Sequence, residues 1–319
     1  MQPKAKVLFL LLHSLCNIAC EYCFYTTHHE RRDKNRIAPE QFEALVATIE
    51  ALGFRIVKLT GGDPLHSVWK HETYALIAQL KARGIGVIIN TSAALLEESD
   101  LDRIVALGVD RVDISIDSHD PAVHDAQRGR HADAVFTIKG LLARGFTRVA
   151  TTTVVTKQNA ATLPETLAWL RSLGVKDTRI QRVFLPGEVA TAHDLIARSM
   201  REASHALPAA HAHRYIALTE STYSGKPKTA GASCRMGKEY FVCDATGGIS
   251  PCFHLFDTKL GNLFTDPIPE LLSRLEENEL THHEVPPCMG THCTSLFDNQ
   301  NFWEDPERKS HDALSCSTA

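Results

Sequence analysis

The chain has 319 residues, enough for one large domain or for one large and one small domain. Hydrophobic residues make up 44% and charged residues 23%, which is ordinary for a folded soluble protein. No apolar run approaches the roughly 20 residues that cross a bilayer, and the short apolar stretch 7–12 lacks the cleavage pattern of a signal peptide. We therefore predict a cytoplasmic protein without a membrane partner and interpret residues 7–12 as a buried strand.

Charge also limits the classes of partner. The net charge is −4, and both signs are scattered along the chain. Nucleic-acid-binding proteins usually carry a basic patch, and this sequence offers only the short pair Arg31 and Arg32. We therefore predict no nucleic-acid partner.

The chain contains nine cysteines in two groups. Three lie between Cys16 and Cys23, and the other six lie from Cys234 onward. Disulfide bonds are rare in the cytoplasm, so metal binding or redox chemistry is the better explanation for so many thiols.

The first two hundred residues repeat a strand–helix pattern. Residues 39–52 carry an apolar stripe at helical spacing that includes Phe42, Val46 and Ile49. In each repeat a glycine closes the helix before a β-branched run, at Gly53, Gly84, Gly108, Gly145 and Gly174. Together with the opening strand, these segments predict six βα units over residues 5–205.

Strands that alternate with helices pair in parallel, because parallel neighbours need crossover connections. Six such units form either an open doubly wound sheet or a partial barrel, and the hydrophobic periodicity does not choose between the two. In both folds ligands bind at the C-terminal ends of the strands. This edge is where Cys16, residues 61–63 and residues 115–117 are expected to lie.

The strand–helix pattern stops near residue 205. Residues 221–231 are rich in Ser, Thr, Gly, Lys and Pro, which is typical of a linker. The cysteine-rich segment that follows lacks the apolar periodicity of an independent core, so metal ligation is expected to stabilise it. We therefore predict a main α/β domain over residues 1–220 and a small cysteine-rich module with a polar tail over residues 221–319.

Cys16, Cys20 and Cys23 place three thiols within eight residues of a loop after the first strand. Three thiolates bind three irons of a cubane [4Fe–4S] cluster and leave the fourth iron open. A structural zinc site, which normally needs four protein ligands, is the alternative. Three nearby histidines are candidates for the fourth zinc ligand: His13, His28 and His29.

The arrangement Cys-x3-Cys-x2-Cys, with the aromatic Tyr22 before the last cysteine, resembles the signature of the radical S-adenosylmethionine (SAM) superfamily. Residues 59–65, Leu-Thr-Gly-Gly-Asp-Pro-Leu, are similar to the Gly-Gly-Glu-Pro motif of that family. The resemblance implies that the backbone of Gly61, Gly62 and Asp63 receives the SAM amino group, and it places Tyr22 among the cofactor-binding residues. Asp63 stands where the family usually has glutamate, which is a conservative departure.

Residues 114–117, Ile-Ser-Ile-Asp, are similar to the family's strand whose Ser and Asp approach the SAM ribose, here Ser115 and Asp117. Arg128 matches an arginine that binds the SAM carboxylate, a group that suits a guanidinium. Without the resemblance, Ser115 would be an inward strand residue and Arg128 a solvated loop arginine. The similarities span residues 5–190 and imply the family's fold, a partial (β/α)6 barrel.

The resemblance also implies the chemistry. SAM binds the open iron, and an electron from a donor such as flavodoxin or ferredoxin reaches the cluster and cleaves SAM to methionine and a 5′-deoxyadenosyl radical. That radical removes a hydrogen atom from an unactivated carbon of the substrate. The cofactor supplies the reactivity, while the protein orients the substrate and excludes water and oxygen.

The later cysteines resemble the SPASM and twitch extensions of the same superfamily. Cys234, Gly247 and Cys252 fit the spacing Cys-x(9–15)-Gly-x4-Cys, which opens an auxiliary cluster site. With Cys288 and Cys293 they imply a second [4Fe–4S] cluster held by four thiolates, as in the shorter twitch form. A zinc ribbon is the alternative, because zinc sites of four cysteines are common.

His292 is an alternative ligand to Cys288 or Cys293. Two cysteines, Cys243 and Cys316, are not assigned to either cluster. Cys243 lies between two predicted ligands and is a candidate hydrogen-atom donor to a substrate radical. We favour the alternative for Cys243, a small buried hydrophobe, because that is the ordinary role of a spare cysteine. Cys316, in the polar tail, is given no role.

These features predict an enzyme that takes a hydrogen atom from a small natural product, sugar- or aminocyclitol-like, in a dehydrogenation, epimerisation or decarboxylation. Many similar peptide maturases carry an N-terminal domain that binds a leader peptide, and we expect none here because the first strand begins by about Lys6. A maturase that cross-links or epimerises residues of a ribosomal peptide is the alternative. A zinc- or cluster-binding module without catalysis is the third interpretation, and it would not need the Gly-Gly-Asp-Pro motif or Arg128.

Overall fold

The computed structural model describes residues 6–23, 35–182 and 236–278. The strands in these ranges are β1 (Lys6–Leu11), β2 (Phe54–Thr60), β3 (Gly86–Thr91), β4 (Arg111–Ser115), β5 (Val149–Val155), β6 (Asp177–Arg182), β7 (Tyr240–Cys243), β8 (Gly248–Ser250) and β9 (Gly261–Asn262). The α-helices are α1 (Phe42–Ala51), α2 (Lys70–Ala82), α3 (Glu98–Ala106), α4 (Pro121–Gln127), α5 (His131–Ala143), α6 (Leu163–Ser172) and α7 (Ile268–Glu276). No helix within these ranges combines the length and the apolar character that a membrane span requires.

The strands form one sheet in the order β6-β5-β4-β3-β2-β1-β7-β8-β9. Strands β1 to β6 pair in parallel with their neighbours in the chain, and helices connect them. The two outer strands are β6 and β9, so the sheet is not closed within the described residues. This confirms the predicted α/β fold, a partial (β/α)6 barrel with its strands in sequential order.

Side chains on each strand alternate between two faces, and both faces are buried. On β1, Leu8 and Leu10 join the large core that also contains the helix residues Leu45 and Ile49, so this is the helix-covered face. Phe9 points to the opposite face and belongs to a second apolar cluster. We call this second face the inner face.

The segment after residue 235 extends the same sheet, which the sequence did not indicate. Strand β7 pairs in parallel with β1, in the register Val7 with Tyr240 and Phe9 with Val242. Phe241 is completely buried in the helix-covered core. This segment therefore packs its apolar side chains on the barrel, in addition to any stabilisation that metal ligation supplies.

The inner face also carries a buried ionic cluster centred on β4. The Asp113 carboxylate contacts Lys58 of β2 at 3.0 Å and Arg179 of β6 at 3.1 Å, and Arg111 of its own strand. Burial alone would raise the pKa of Asp113, but Arg111, Arg179 and Lys58 hold it well below its usual range. The inner face is thus polar across β2, β4 and β6 and aromatic around Phe9.

Candidate functional site

The loop after β1 carries the three N-terminal cysteines at the C-terminal edge of the parallel sheet. Cys16 is exposed, Cys20 and Cys23 are half-buried, and none of the three is joined in a disulfide. The Cys23 amide donates to the Cys20 carbonyl at 3.3 Å, which forms a tight turn between these two ligand candidates. We call residues 12–23 the cysteine loop.

The two glycines after β2 allow their own loop to pack directly on the cysteine loop. The Gly62 amide donates to the His13 carbonyl at 2.7 Å, and the Asp63 amide donates to the Leu15 carbonyl at 2.8 Å. A Cβ at Gly62 would lie 2.2 Å from the Leu15 oxygen, and one at Gly61, whose φ is +109°, would lie 2.9 Å from the His13 oxygen. Side chains are therefore excluded from both positions by backbone contact.

The Asp63 carboxylate is engaged within the protein. One oxygen accepts from the Leu65 amide at 3.0 Å and from the Thr91 hydroxyl at 2.7 Å, and the other accepts from the Ser92 amide at 2.9 Å and from its hydroxyl. Asp63 therefore ties the loop of residues 61–65, which we call the glycine loop, to the end of β3. This arrangement keeps the backbone of the glycine loop fixed, and it is the backbone that the resemblance assigns to SAM.

Asn17, inside the cysteine loop, is a positioning residue that the sequence analysis missed. Its side-chain NH2 donates to the Ala94 carbonyl at 3.2 Å, and its oxygen accepts from the Ser67 hydroxyl at 2.9 Å. Asn17 thus connects the cysteine loop to the loops after β2 and β3. The only signal in the sequence was an amide side chain between two candidate ligands. The sequence did not indicate its partners, because they are 50 and 77 residues away.

Ser115, Asp117, Arg128 and Tyr22 meet at the end of β4. Ser115 is buried and ends the strand on the inner face, like Asp113 two residues before it. The Asp117 carboxylate, which has no exposed surface, accepts from the Tyr22 hydroxyl, from Arg128 Nε at 3.0 Å and Nη2 at 3.4 Å, and from a backbone amide of β5. The role of Asp117 at the SAM ribose stays a prediction, and in the structure its carboxylate is hydrogen-bonded to Tyr22 and Arg128.

The surroundings keep Tyr22 neutral and Arg128 charged. Burial raises the pKa of Tyr22 well above its usual range, and Asp117 raises it further, although Arg128 opposes the change. The pKa of Arg128 is lowered by burial but raised well above its ordinary value by Asp117 and Tyr22. Tyr22 is therefore a neutral hydroxyl donor, and Arg128 and Asp117 form a buried ion pair.

His124 of α4 contacts the backbone on both sides of this group, at Asp117 and at Gly129. The Asp117 amide donates to His124 Nδ1 at 3.1 Å, so the proton of the neutral ring is on Nε2, which lies 3.1 Å from the Gly129 carbonyl oxygen. Burial lowers the pKa of His124 from 6.5 to about 4. The neutral ring thus bridges the chain segments on both sides of Arg128.

His13, beside the glycine loop, is a second buried histidine. Burial, and next His66, lower its pKa from 6.5 to about 4. The ring of His66 lies edge-on to that of His13, with 6.1 Å between the ring centroids. His13 is therefore neutral in the folded chain at pH 7, like His124.

We expect folding stability to fall as the pH drops from about 6.5 to about 4. In that range the unfolded chain binds a proton at His13 and at His124, whereas the folded chain does not. The contribution of the two neutral histidines to stability is therefore fully present above pH 6.5 and is lost progressively as the pH falls to about 4. Each histidine contributes on the order of 3 kcal/mol to this change. Thermal unfolding followed by circular dichroism across the range is the measurement, and a constant Tm from pH 7 to pH 4.5 would contradict both pKa directions.

Of the six later cysteines, the structure describes two, and these two lie on opposite faces of the sheet. Cys252 is buried in the inner-face cluster with Phe9 and Tyr240. Cys243 lies on the helix-covered face, in the main core, and its burial raises the pKa of the thiol well above the ordinary value. This location supports the packing role for Cys243 and gives no support to the hydrogen-donor role. Four further cysteines lie outside the described residues: Cys234, Cys288, Cys293 and Cys316.

The cysteine loop fits an iron–sulfur cluster by the chemistry of its donors. It offers three thiol donors, one on an exposed residue and two on half-buried ones, and backbone hydrogen bonds hold the loop at Leu15 and at Glu21. As the described side chains stand, no three or more of the types His, Cys, Asp and Glu are arranged to hold a metal ion. The residues that would hold such a cluster are Cys16, Cys20 and Cys23.

Comparison with known proteins is consistent with this geometry. The AdoMet-dependent heme synthase of Nitratidesulfovibrio vulgaris is 25% identical over 304 residues, which cover 86% of this chain and 80% of that protein. The fold is similar to that of anSMEcpe with bound AdoMet, at a TM-score of 0.66 and 17% identity over 88% of this chain and 80% of that one. It is also similar to Streptococcus suis SuiB bound to precursor peptide SuiA, at 0.64 and 16% over 87% of this chain and 66% of that one.

A family model decides the assignment, because it matches more than half of the chain. The match covers residues 11–189, which contain the cysteine loop, the glycine loop and the segment from β4 to Arg128. The chain therefore belongs to the radical SAM superfamily, whose members are enzymes that use S-adenosylmethionine and a [4Fe–4S] cluster.

Proposed function

We propose that this enzyme removes a hydrogen atom from an unactivated C–H bond of a small natural product, sugar- or aminocyclitol-like, and so dehydrogenates, epimerises or decarboxylates it. When bound, SAM and the reduced cluster supply the 5′-deoxyadenosyl radical for this step. The observation that carries the proposal is the direct packing of the glycine loop on the cysteine loop at the C-terminal edge of the sheet. Cys16, Cys20 and Cys23 would hold the cluster, and an electron donor such as flavodoxin or ferredoxin would reduce it.

Different residues around this edge would bind the different groups of SAM. The backbone of Gly61, Gly62 and Asp63 would receive the amino group, and Ser115 would face the ribose from the end of β4. Arg128 would bind the carboxylate, because a guanidinium can hold Asp117 with one edge and a ligand with another.

The substrate class is supported by two observations. The inner face carries charged side chains on β2, β4 and β6, where Lys58, Asp113 and Arg179 meet, and a face with polar groups suits a substrate rich in hydroxyl or amino groups. The relative from Nitratidesulfovibrio vulgaris is a heme synthase, so its name also refers to a small molecule. A peptide maturase is the second candidate, favoured by the similar fold of SuiB bound to its precursor peptide.

We further propose that residues 221–319 form a module with an auxiliary [4Fe–4S] cluster on Cys234, Cys252, Cys288 and Cys293, and that its strands β7 to β9 join this module to the main domain of residues 1–220. Support comes from the hairpin between β7 and β8. Its turn residue Gly247 has a φ of +86°, and a Cβ there would lie 2.4 Å from the Phe264 ring, so the turn requires glycine. Cys252 follows this hairpin and is buried on the inner face with Phe9 and Tyr240.

The test uses the chain reconstituted anaerobically with iron and sulfide and then reduced. We expect 5′-deoxyadenosine to form from SAM, and we expect deuterium to appear in it when perdeuterated sugars or aminocyclitols are supplied. Transfer only from deuterated peptides would replace the small-molecule substrate by the maturase alternative. A reduced, iron-loaded chain that leaves SAM intact would overturn the proposal as a whole.

A further inference from the structure

We propose that Tyr22 is a positioning residue, whose hydroxyl, through Asp117, fixes the cysteine loop relative to Arg128. This inference rests on the proposed function, in which the cysteine loop holds the cluster and Arg128 binds SAM. It assigns Tyr22 a task that neither the cysteine spacing nor the aromatic character of the residue indicates. We call Tyr22, Asp117 and Arg128 the Asp117 group.

Tyr22 contacts both members of the buried ion pair. Its hydroxyl donates to Asp117 Oδ2, the oxygen that also accepts from Arg128 Nε. Its ring lies beneath the Arg128 guanidinium, with 5.5 Å between the guanidinium carbon and the ring centroid. A displacement of Tyr22 therefore changes a hydrogen bond and a cation–π contact at once.

Burial makes these contacts strong. Tyr22 is 9% exposed and Asp117 is fully buried, and a buried ion pair is stable only when further hydrogen bonds satisfy its charges. The Val154 amide supplies one such bond to Asp117 at 2.9 Å, and the Tyr22 hydroxyl supplies another. Loss of the hydroxyl leaves the carboxylate short of a donor, and Arg128 becomes freer to move.

The neighbours of the group hold the same two segments together. The Glu21 amide, one residue before Tyr22, donates to the carbonyl of Gln127, one residue before Arg128, at 3.1 Å. The His124 ring bridges Asp117 and Gly129 from the other side. The cysteine loop and the Arg128 segment are therefore joined by a backbone bond and by side chains at adjacent positions.

The consequence concerns the cluster ligands. Tyr22 lies between Cys20 and Cys23 in the chain, so fixing its side chain fixes the stretch that carries two of the three thiols. SAM must contact both the open iron and the arginine, so their relative position sets its binding geometry. The Tyr22 hydroxyl should thus affect how SAM meets the cluster, beyond its effect on stability.

The experiment compares Tyr22→Phe with Tyr74→Phe in the reconstituted chain. Tyr74 is the control, because it is also a buried tyrosine whose hydroxyl donates to a carboxylate, Asp100 at 3.0 Å, and this carboxylate is likewise paired with a cation, Lys70. We expect both variants to lose similar thermal stability. We expect only Tyr22→Phe to weaken SAM binding, roughly tenfold, as loss of one charge-assisted hydrogen bond allows.

The spectroscopic readout is the electron paramagnetic resonance spectrum of the reduced cluster with and without SAM. We expect Tyr74→Phe to reproduce the wild-type change on SAM addition and Tyr22→Phe to alter it, at equal iron content. Equal SAM affinities and equal spectra in the two variants would refute the positioning role while leaving the proposed function intact. A wild-type chain that takes up no cluster on the cysteine loop would refute the proposed function and this inference with it.

Discussion

Replacing Cys16, Cys20 and Cys23 together by alanine is expected to remove about half of the bound iron and to abolish SAM cleavage. The wild-type chain should bind about eight irons, as two cubane clusters contain. Without the cysteine loop's thiols no cluster with an open iron can form, so SAM has neither its binding point nor its electron. Iron analysis after anaerobic reconstitution and chromatographic assay of 5′-deoxyadenosine are the measurements.

Two single variants sharpen the result. Cys243→Ala should keep all of the iron, because Cys243 lies on the helix-covered face in the apolar core. Cys252→Ala should remove the other half of the iron and spare SAM cleavage, because Cys252 belongs to the proposed auxiliary site. A triple variant that keeps its full iron content and still forms 5′-deoxyadenosine would show that the cysteine loop is not the catalytic cluster site.

The sequence predicted the parts of the fold that depend on local pattern. Apolar periodicity and helix-ending glycines such as Gly53 and Gly84 repeat every few tens of residues, and each repeat is one βα unit. Parallel pairing then followed from the crossovers, so the edge that carries Cys16, Gly62 and Ser115 could be predicted from strand ends alone.

The parts that depend on distant partners could not be predicted in this way. The pairing of β7 with β1 joins residues more than 230 positions apart, such as Val7 and Tyr240, and a short strand carries no signal for its neighbour. The resemblance likewise implied SAM-binding roles for Asp117 and Arg128, but it did not indicate that the two side chains form an ion pair. Which side chains pair depends on their distance in the folded chain. The family's motif therefore does not predict that Tyr22 donates a hydrogen bond to Asp117.

Gly62→Ala is expected to lower SAM cleavage by about a hundredfold or more, with a matching loss of correctly formed cluster. The new methyl group would lie 2.2 Å from the Leu15 carbonyl oxygen and 2.6 Å from the Leu15 nitrogen. Backbone atoms cannot rotate away as a side chain can, so the cysteine loop and the glycine loop must separate by about 1 Å, a displacement that costs catalysis about this much. The measurements are iron content, SAM affinity and 5′-deoxyadenosine formation.

Gly86→Ala is the matched control, because it adds the same methyl group at the start of β3. There the nearest atom is a side-chain carbon of Ile56 at 3.3 Å, which can move by a few tenths of an ångström. We expect this variant to keep its cluster and its SAM cleavage with a small change in Tm. If Gly62→Ala behaved like Gly86→Ala, the contact between the two loops would not be what positions the cluster. The Asp63 carboxylate and Asn17, which tie the same loops to β3, would then have to hold the site on their own.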